Sequence, residues 1–173
     1  MTAARIPEAV PVPGPLRLED LYRRHAPEAR RLAYLLTGDR AEADDVVQDA
    51  FVKLAGRLFA LRSPEASGAY LRRVVVNTVL SRSRSRRREQ ARQARSVRLG
   101  ATGDAWADQV PPDGRLWDAL QRLPERQRAA IVLRHWLDLS EERTAELLGC
   151  PPGTVKSQVS RGLATMRETM NDA

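Results

Sequence analysis

The feature that most constrains this fold is the stretch 139–163, LSEERTAELLGCPPGTVKSQVSRGL, which carries the signals of two helices joined by a tight turn. Ser140 is a good N-cap residue, and the spacing that includes Leu147 and Leu148 predicts a buried apolar stripe on the first helix. Gly149 predicts the end of that helix, because glycine enters the left-handed conformation without steric penalty. Two prolines fill the turn, and proline is tolerated in the first turn of the next helix.

The second helix of this stretch separates apolar from polar side chains. Spacing by three and four residues places an apolar stripe on its inner face: Val155, Val159, Leu163 and Met166. The opposite face carries a polar and cationic set: Lys156, Ser157, Ser160 and Arg161. Two helices joined by so short a turn have the geometry of a helix-turn-helix that reads the major groove of DNA. The alternative is an αα-hairpin whose polar face contacts only water.

The charge of the chain indicates a polyanionic partner. Its 173 residues carry a formal net charge of +7, which favours nucleic acid first and an acidic membrane surface second. All 29 cationic residues except Lys53 and Lys156 are arginines, a skew that suits phosphate binding but is also typical of high-GC genomes. One cysteine excludes an intramolecular disulfide, and no apolar run approaches the roughly 18 residues of a membrane span. We therefore expect a cytoplasmic protein.

A helix predicted after Gly38 carries a cluster of carboxylates. Asp39 and Glu42 have the spacing of a capping box at its start. One side of this helix is polar and acidic: Glu42, Asp44, Asp45, Gln48 and Asp49. Carboxylates along one helix cannot converge on a metal ion without a second element, which weakens a metal-site interpretation. Two interpretations stay open, namely a docking face for a basic partner and an ordinary solvated helix face.

The helix predicted from Ser63 to about Arg88 combines an apolar face with a cationic band. Ser63 is the predicted N-cap, and proline follows at the first helical position. Steps of about 100° per residue place one band beside the apolar face: Arg73, Asn77, Ser81, Arg84 and Arg88. Arginines in such a band suit a phosphate backbone, and an asparagine can read a base edge. The band indicates a second nucleic-acid surface, although a single exposed asparagine is also a common surface residue.

Together these patterns predict an all-α protein of two small helical domains joined by a flexible linker. The Gly-, Asp- and Pro-rich composition predicts the linker, and the proline-rich start of the chain predicts a disordered tail. The expected divisions are an N-terminal tail (1–15), a first helical domain (16–90), the linker (91–114) and a second helical domain (115–173).

The ordered set of patterns resembles the extracytoplasmic-function (group IV) sigma factors of bacterial RNA polymerase, within the sigma-70 family. Three stretches carry the resemblance: RLAYLLTGDRAEADDVVQDAFVKL (31–54), AYLRRVVVNTVLSRSRSRRR (69–88) and LWDALQRLPERQRAAIVLRHWLDLSEERTAELLGCPPGTVKSQVSRGLATMR (116–167). The resemblance covers almost all of residues 16–170. It implies sigma region 2 over 16–90, sigma region 4 over 115–173 and, with the arginine skew, an origin in a high-GC bacterium.

The resemblance also implies a role for each candidate surface. The family's core-polymerase surface, which binds the β and β′ subunits, corresponds here to Asp45, Gln48, Asp49 and Lys53. Its −10 surface corresponds to Arg72, Arg73, Asn77, Arg84 and Arg88, where Asn77 matches an amide beside a base extruded from the duplex. Its −35 surface corresponds to Lys156, Ser157, Ser160 and Arg161. Members of the family are usually held by an anti-sigma factor, so the resemblance implies that partner too.

The leading hypothesis is a promoter-specificity subunit that binds core RNA polymerase and promoter DNA. It implies no catalytic residue, metal, cofactor or membrane contact of its own. The main alternative is a conventional helix-turn-helix regulator that binds DNA without polymerase through the second domain. An enzyme acting on nucleic acid is the third hypothesis, and it is disfavoured because the carboxylates crowd onto one helix. One departure from the family is Pro151, which stands where a capping side chain usually precedes the recognition helix.

Overall fold

The computed structural model describes residues 17–61, 63–92 and 114–171, without the side chains of 87–92. This part of the chain is helical and contains no strand, which confirms the all-α prediction. The helices are α1 (Leu18–Thr37), α2 (Arg40–Ala55), α3 (Pro64–Arg92), α4 (Gly114–Arg122), α5 (Glu125–Ile131), α6 (Glu141–Leu148) and α7 (Pro152–Asn171). A 3₁₀ turn (Leu58–Ala60) precedes α3, and a π-helical turn (Val132–Trp136) extends α5. The predicted tail (1–15) and the interior of the predicted linker lie outside the described residues.

The helix starts and stops predicted from capping residues are confirmed by their contacts. The side chains of Asp39, Ser63 and Ser140 each accept the backbone N–H three residues later, at 2.9, 3.2 and 3.1 Å. Gly38 and Gly149 follow α1 and α6 in the left-handed conformation, with φ angles of 74° and 61°. Such caps satisfy backbone groups that have no partner within the helix, so each helix ends where its sequence signal lies.

The capping box predicted at the start of α2 forms only by half. Asp39 accepts the N–H of Glu42, but the Glu42 carboxylate pairs with Arg86 of α3 at 2.5 Å. The N–H of Asp39 instead donates to the hydroxyl of Thr37 at 3.3 Å. A hydrogen bond between two charged groups is stronger than one to a neutral N–H, so the contact between helices replaces the local one.

Helices α1, α2 and α3 pack on one another in the first half of the chain. Leu32, Val46, Leu54 and Leu71 are at most 1% exposed at the centre of this packing. Pro27 lies inside α1 without ending it. Burying each leucine contributes about 1.5–3 kcal/mol, so the several buried on α1 together exceed the cost of about 3 kcal/mol for an internal proline.

Helices α4 to α7 form the second helical unit, and α7 contacts α4, α5 and α6. The predicted inner stripe of α7 is confirmed in part: Val155 and Met166 are buried, whereas its other two members are half-buried. Gly162 is also buried on this face, where an added Cβ would stand 2.6 Å from Cδ1 of Ile131. The missing side chain therefore allows α7 to approach α5 closely.

The two helical units pack against each other, because α3 is buried on two sides. Its predicted apolar face is buried against the first unit, and a second set at helical spacing is buried as well: Val76, Leu80 and Ser83. Helix α3 contacts both α5 and α6 of the second unit. The result is one continuous apolar core that spans both units.

A polar and aromatic contact joins α1 to α4 at the same interface. The rings of Tyr34 and Trp117 stack with centroids 4.5 Å apart. The amide of Gln121 donates to the carbonyl of Leu35 at 3.2 Å and accepts from the buried Arg128. Because the last carbonyls of a helix lack partners within it, Gln121 satisfies one end of α1 from the other unit.

Candidate nucleic-acid and partner interfaces

The polar face of α7 lies largely in solvent. Lys156, Ser160 and Arg161 are exposed. Ser157 is half-buried, and its hydroxyl donates to the carbonyl of Thr154 at 2.9 Å, so its proton is used within the helix while its oxygen can still accept. The structure therefore brings the four predicted −35 residues to one accessible face.

The turn before α7 shows how the helix begins without a capping side chain. The carbonyl of Pro151 accepts the N–H of Thr154 at 2.9 Å and that of Val155 at 3.3 Å. At the end of α6, the N–H of Cys150 donates to the carbonyl of Ala145 at 3.1 Å. These backbone bonds orient the recognition helix, and Pro151 takes part through its carbonyl alone.

The predicted cationic band on α3 is exposed as far as its side chains are described. Its four described members are exposed: Arg73, Asn77, Ser81 and Arg84. The side chain of Arg88 lies outside the described residues. Arg72 points away from the band, because it pairs with Glu28 of α1 at 3.0 Å and is half-buried. The structure thus separates Arg72 from the other predicted −10 residues.

Asn77 lies in a concave cleft between α2 and α3, which we call the Asn77 cleft. Its volume is about 450 Å³. Its polar lining consists of Lys53, Asn77, Thr78, Ser81, Arg82 and Arg84. The amide and hydroxyl groups match the donors and acceptors of a base edge, and the cations suit a phosphate. One nucleotide carries both kinds of group, so the lining suits a nucleotide.

Most carboxylates on the polar side of α2 are paired with arginines of neighbouring helices. The pairs are Glu42 with Arg86 at 2.5 Å, Asp49 with Arg82 at 2.6 Å, and Asp44 with Arg30 at 3.2 Å. Asp45 is exposed and forms no ion pair within the described part of the chain. The acidic cluster is therefore divided between internal pairs and one carboxylate that is available to a partner.

Gln48 lies on the α1 side of α2, in an apolar groove that we call the α1–α2 groove. Its volume is about 510 Å³. Tyr22 is 41% exposed there and packs on the buried ring of Phe51 with centroids 4.8 Å apart, and Val52 is 68% exposed at the edge of the groove. A grouped set of exposed apolar side chains with a polar rim is typical of a protein-binding site. The sequence interpretation missed this groove because its walls come from two helices.

A third cleft, of about 290 Å³, lies between the two helical units. Arg84 and Leu80 of α3 line one side, and residues 124–127 with Gln158 of α7 line the other. The cationic band and the recognition helix therefore lie next to each other in this arrangement.

Two carboxylates at helix starts have pKa values below their ordinary range. The pKa of Glu65 is lowered first by its own backbone N–H and then by Ser63, and the pKa of Glu142 in the same way with Ser140. Both support the starts of α3 and α6 and lie outside the candidate surfaces.

Within the described residues, no group of three or more His, Cys, Asp or Glu side chains is placed to hold a metal ion. No described helix combines the length and apolar character needed to cross a membrane.

Comparison with known proteins identifies both halves of the chain. The model for sigma-70 region 2 matches residues 21–89, and the model for sigma-70, region 4 matches residues 113–166. The RNA polymerase sigma-E factor of Streptomyces avermitilis is 36% identical over 155 residues, which cover 90% of this chain and 86% of that relative. The ECF RNA polymerase sigma factor SigM of Mycobacterium tuberculosis is 34% identical over 148 residues, which cover 86% and 74%.

A solved structure shares the fold. The sigma factor RpoE of Bartonella quintana, in complex with the anti-sigma factor NepR, gives a TM-score of 0.71 at 27% identity and covers 88% of this chain and 96% of that one. The region 2 match contains the Asn77 cleft, and the region 4 match contains the polar face of α7. The chain therefore belongs to the sigma-70 family of RNA polymerase sigma factors, in its extracytoplasmic-function group.

Proposed function

We propose that this sigma factor binds core RNA polymerase through α2 and directs it to promoters by reading a −35 element with α7 and a −10 element with α3. The observation that carries the proposal is the presence of two separate exposed polar faces, around Arg161 on α7 and around Asn77 on α3. A helix-turn-helix regulator repeats one reading face by dimerising on a palindrome. Two different faces in one chain suit a promoter, whose two recognition elements have different sequences.

At the −35 element, α7 enters the major groove. Arg161 presents a planar fork that suits guanine, and Lys156 presents a point charge that suits a phosphate. Ser160 is exposed between them along the helix and can bond to a base or to the backbone. The four predicted residues lie within two turns of α7, so they cover only a few base pairs.

At the −10 element, the Asn77 cleft receives a base that has left the double helix. Base edges inside a duplex are turned toward their partners, and extruding one costs a few kcal/mol in stacking and pairing. The amide of Asn77 offers both a donor and an acceptor to the extruded base. Arg73 and Arg84 are exposed on either side of Asn77 along α3 and contact the backbone.

Core polymerase binds the outer side of α2. Gln48 and the α1–α2 groove offer an apolar surface with a polar rim, and Asp45 offers an unpaired carboxylate within the described residues. This combination suits a partner helix with apolar and basic side chains, which the family resemblance places on the β and β′ subunits. Asp49 contributes indirectly, since it holds Arg82 against α2.

Regulation by an anti-sigma factor is part of the same proposal. The similar structure from Bartonella quintana is a complex of a sigma factor with an anti-sigma factor. An initiation subunit works where polymerase and the chromosome lie, so we place this chain in the cytoplasm. It contributes recognition of the promoter and leaves RNA synthesis to the polymerase.

Transcription in vitro with purified core polymerase tests the proposal. The template is fragmented genomic DNA from the source organism, and start sites are mapped with the chain added or withheld. We expect new starts that share two upstream sequences at a constant spacing. The absence of new starts, together with binding of the chain alone to palindromic duplex DNA, would favour the regulator.

A further inference from the structure

We propose that Lys53 binds promoter DNA rather than polymerase and holds the phosphate of the nucleotide whose base enters the Asn77 cleft. This inference rests on the proposed function and adds a residue to its −10 surface. The family resemblance assigns Lys53 to the polymerase-binding set with Asp45, Gln48 and Asp49. Its surroundings in the folded chain support a different assignment.

The first observation is the register of α2 against α3. Glu42 pairs with Arg86 at 2.5 Å, and Asp49 pairs with Arg82 at 2.6 Å, so the two helices run antiparallel along a ladder of ion pairs. One further turn along α2 from Asp49 leads to Lys53. One further turn back along α3 from Arg82 leads to the level of Asn77. The side chains of Lys53 and Asn77 line the same cleft.

The second observation is which charges remain available in that cleft. The guanidinium of Arg82 is engaged by Asp49, so it adds little net positive charge for a ligand. Lys53 is exposed and forms no ion pair in the described part of the chain, and the nearby carboxylate of Asp49 is already occupied. Arg84 is the other exposed cation on the lining. Lys53 therefore supplies positive charge to this cleft from α2.

The third observation is the division of α2 into two sides. Gln48 and Val52 line the α1–α2 groove, which we assign to polymerase. Lys53 follows Val52 by one residue, a rotation of about 100°, and lines the cleft on the α3 side instead. A partner helix seated in the groove therefore lies on a different side of α2 from Lys53. Asp45, which we also assign to the polymerase surface, lies on the α3 side beside Arg82. The observation therefore separates Lys53 from the groove and not from Asp45.

The chemistry of lysine fits a phosphate contact. An ammonium group is a compact point charge on a flexible stem, which suits a single phosphate oxygen but carries no base preference. Asn77 reads a base edge and selects among bases. The proposed division of roles is that Lys53 adds affinity for any −10 sequence, while Asn77 distinguishes one sequence from another.

The test uses full-length chain and core polymerase with Lys53→Gln, which removes the charge and nearly keeps the length. The first assay measures binding of the labelled chain to core polymerase without DNA. The second measures binding of the holoenzyme to fluorescent forked DNA that carries the −10 sequence from the mapped starts, over a range of salt concentrations. Lys53→Arg is the matched control, and Gln48→Ala is the control for the polymerase surface.

We expect Lys53→Gln to bind core polymerase like the wild type and to bind forked DNA several-fold more weakly. The slope of log affinity against log salt should fall by about 0.7, the value for one phosphate contact on a single strand. The loss should be equal on all −10 variants, and Lys53→Arg should restore it. Gln48→Ala should instead weaken polymerase binding.

A weaker affinity of Lys53→Gln for core polymerase, with an unchanged salt slope on DNA, would return Lys53 to the polymerase surface and overturn the inference. Unchanged values in both assays would overturn it as well. Failure of the proposed function gives a different result, in which the wild-type chain does not confer binding to forked DNA on core polymerase.

Discussion

At the scale of single residues, ion pairs between helices decide which charges are available to partners. Arg82 and Arg86 contribute to the positive charge of the sequence, yet both are paired with carboxylates of α2. Partly exposed pairs of this kind contribute at most about 1 kcal/mol to stability. Their main effect here is to decide which charged groups remain available to a partner. The cations left on this surface lie around Asn77, and Asp45 is the carboxylate of α2 that forms no ion pair within the described part of the chain.

Replacing Asn77 by alanine should impair promoter opening and selectivity at the −10 element. The alanine removes the donor and acceptor that read the base, while α7 keeps its −35 face. We expect the discrimination between matched and mismatched −10 sequences to fall by about 1–3 kcal/mol. The measurement is initiation on a set of −10 variants, with Ser81→Ala as the control from the same cleft. Wild-type selectivity in Asn77→Ala would show that another residue reads the base.

Reversing the charge of Asp45 should weaken binding to core polymerase. A lysine at this exposed position meets a basic partner with a like charge, which costs several kcal/mol at an interface. We expect at least a tenfold loss of affinity for Asp45→Lys in binding assays without DNA. Asp118→Lys is the matched control, because Asp118 is exposed on α4 of the other unit. Equal affinities for the two variants would remove Asp45 from the proposed polymerase surface.

At the scale of helices, short sequence signals determine where each helix ends, and side chains of neighbouring elements then contact those ends. Gly38 and Gly149 both end helices with a positive φ, but their surroundings differ. A Cβ on Gly149 would meet nothing within 4 Å, whereas one on Gly38 would stand 2.4 Å from Oε1 of Gln121. The end of α1 therefore serves both as a helix stop and as a contact for the second unit.

Gly38→Ala should destabilise the protein more than Gly149→Ala. Both variants pay about 1–2 kcal/mol for a side chain in the left-handed conformation. Gly38→Ala also displaces Gln121, which loses hydrogen bonds to Leu35 and Arg128 at about 1 kcal/mol each. The check is the free energy of unfolding in urea for both variants. A larger loss in Gly149→Ala would contradict the contact between Gly38 and Gln121.

At the scale of the whole molecule, the two helical units share one core. The second buried side of α3 and the stack of Tyr34 on Trp117 hold them together. This arrangement sets Arg84 of the cationic band beside Gln158 of the recognition helix. The proposed reading of two separate DNA elements requires these helices to move apart, so we expect the packing of the units to oppose promoter binding.

Trp117→Ala should loosen the packing between the two units. It removes the stack on Tyr34, worth about 0.5–1.5 kcal/mol beyond its buried area. We expect a larger radius of gyration in small-angle X-ray scattering, with the helical content unchanged. Leu116→Ala is the neighbouring control, since Leu116 is 39% exposed. The same radius of gyration in both variants would mean that the stack does not hold the units together.

Much of this protein is determined by its sequence over short distances. The stops at Gly38 and Gly149 and the caps at Asp39, Ser63 and Ser140 depend on contacts within about four residues, and the structure confirms each one. The exposed polar faces of α3 and α7 follow in the same way from helical periodicity. The all-α fold and the exposure of both polar faces could therefore be predicted.

Only the tertiary structure decided how these helices meet. Arg82 pairs with Asp49 across 33 residues, and Gln121 caps α1 across 86, and no local pattern encodes either contact. The same packing buried Leu80, formed the α1–α2 groove and placed Lys53 beside Asn77. Helical periodicity predicts which side of a helix is apolar. Which groups a charged or partly apolar side contacts depends on the element that packs against it. For that reason the sequence determined the helices and their chemistry, whereas the packing determined which charges and grooves remain for DNA and polymerase.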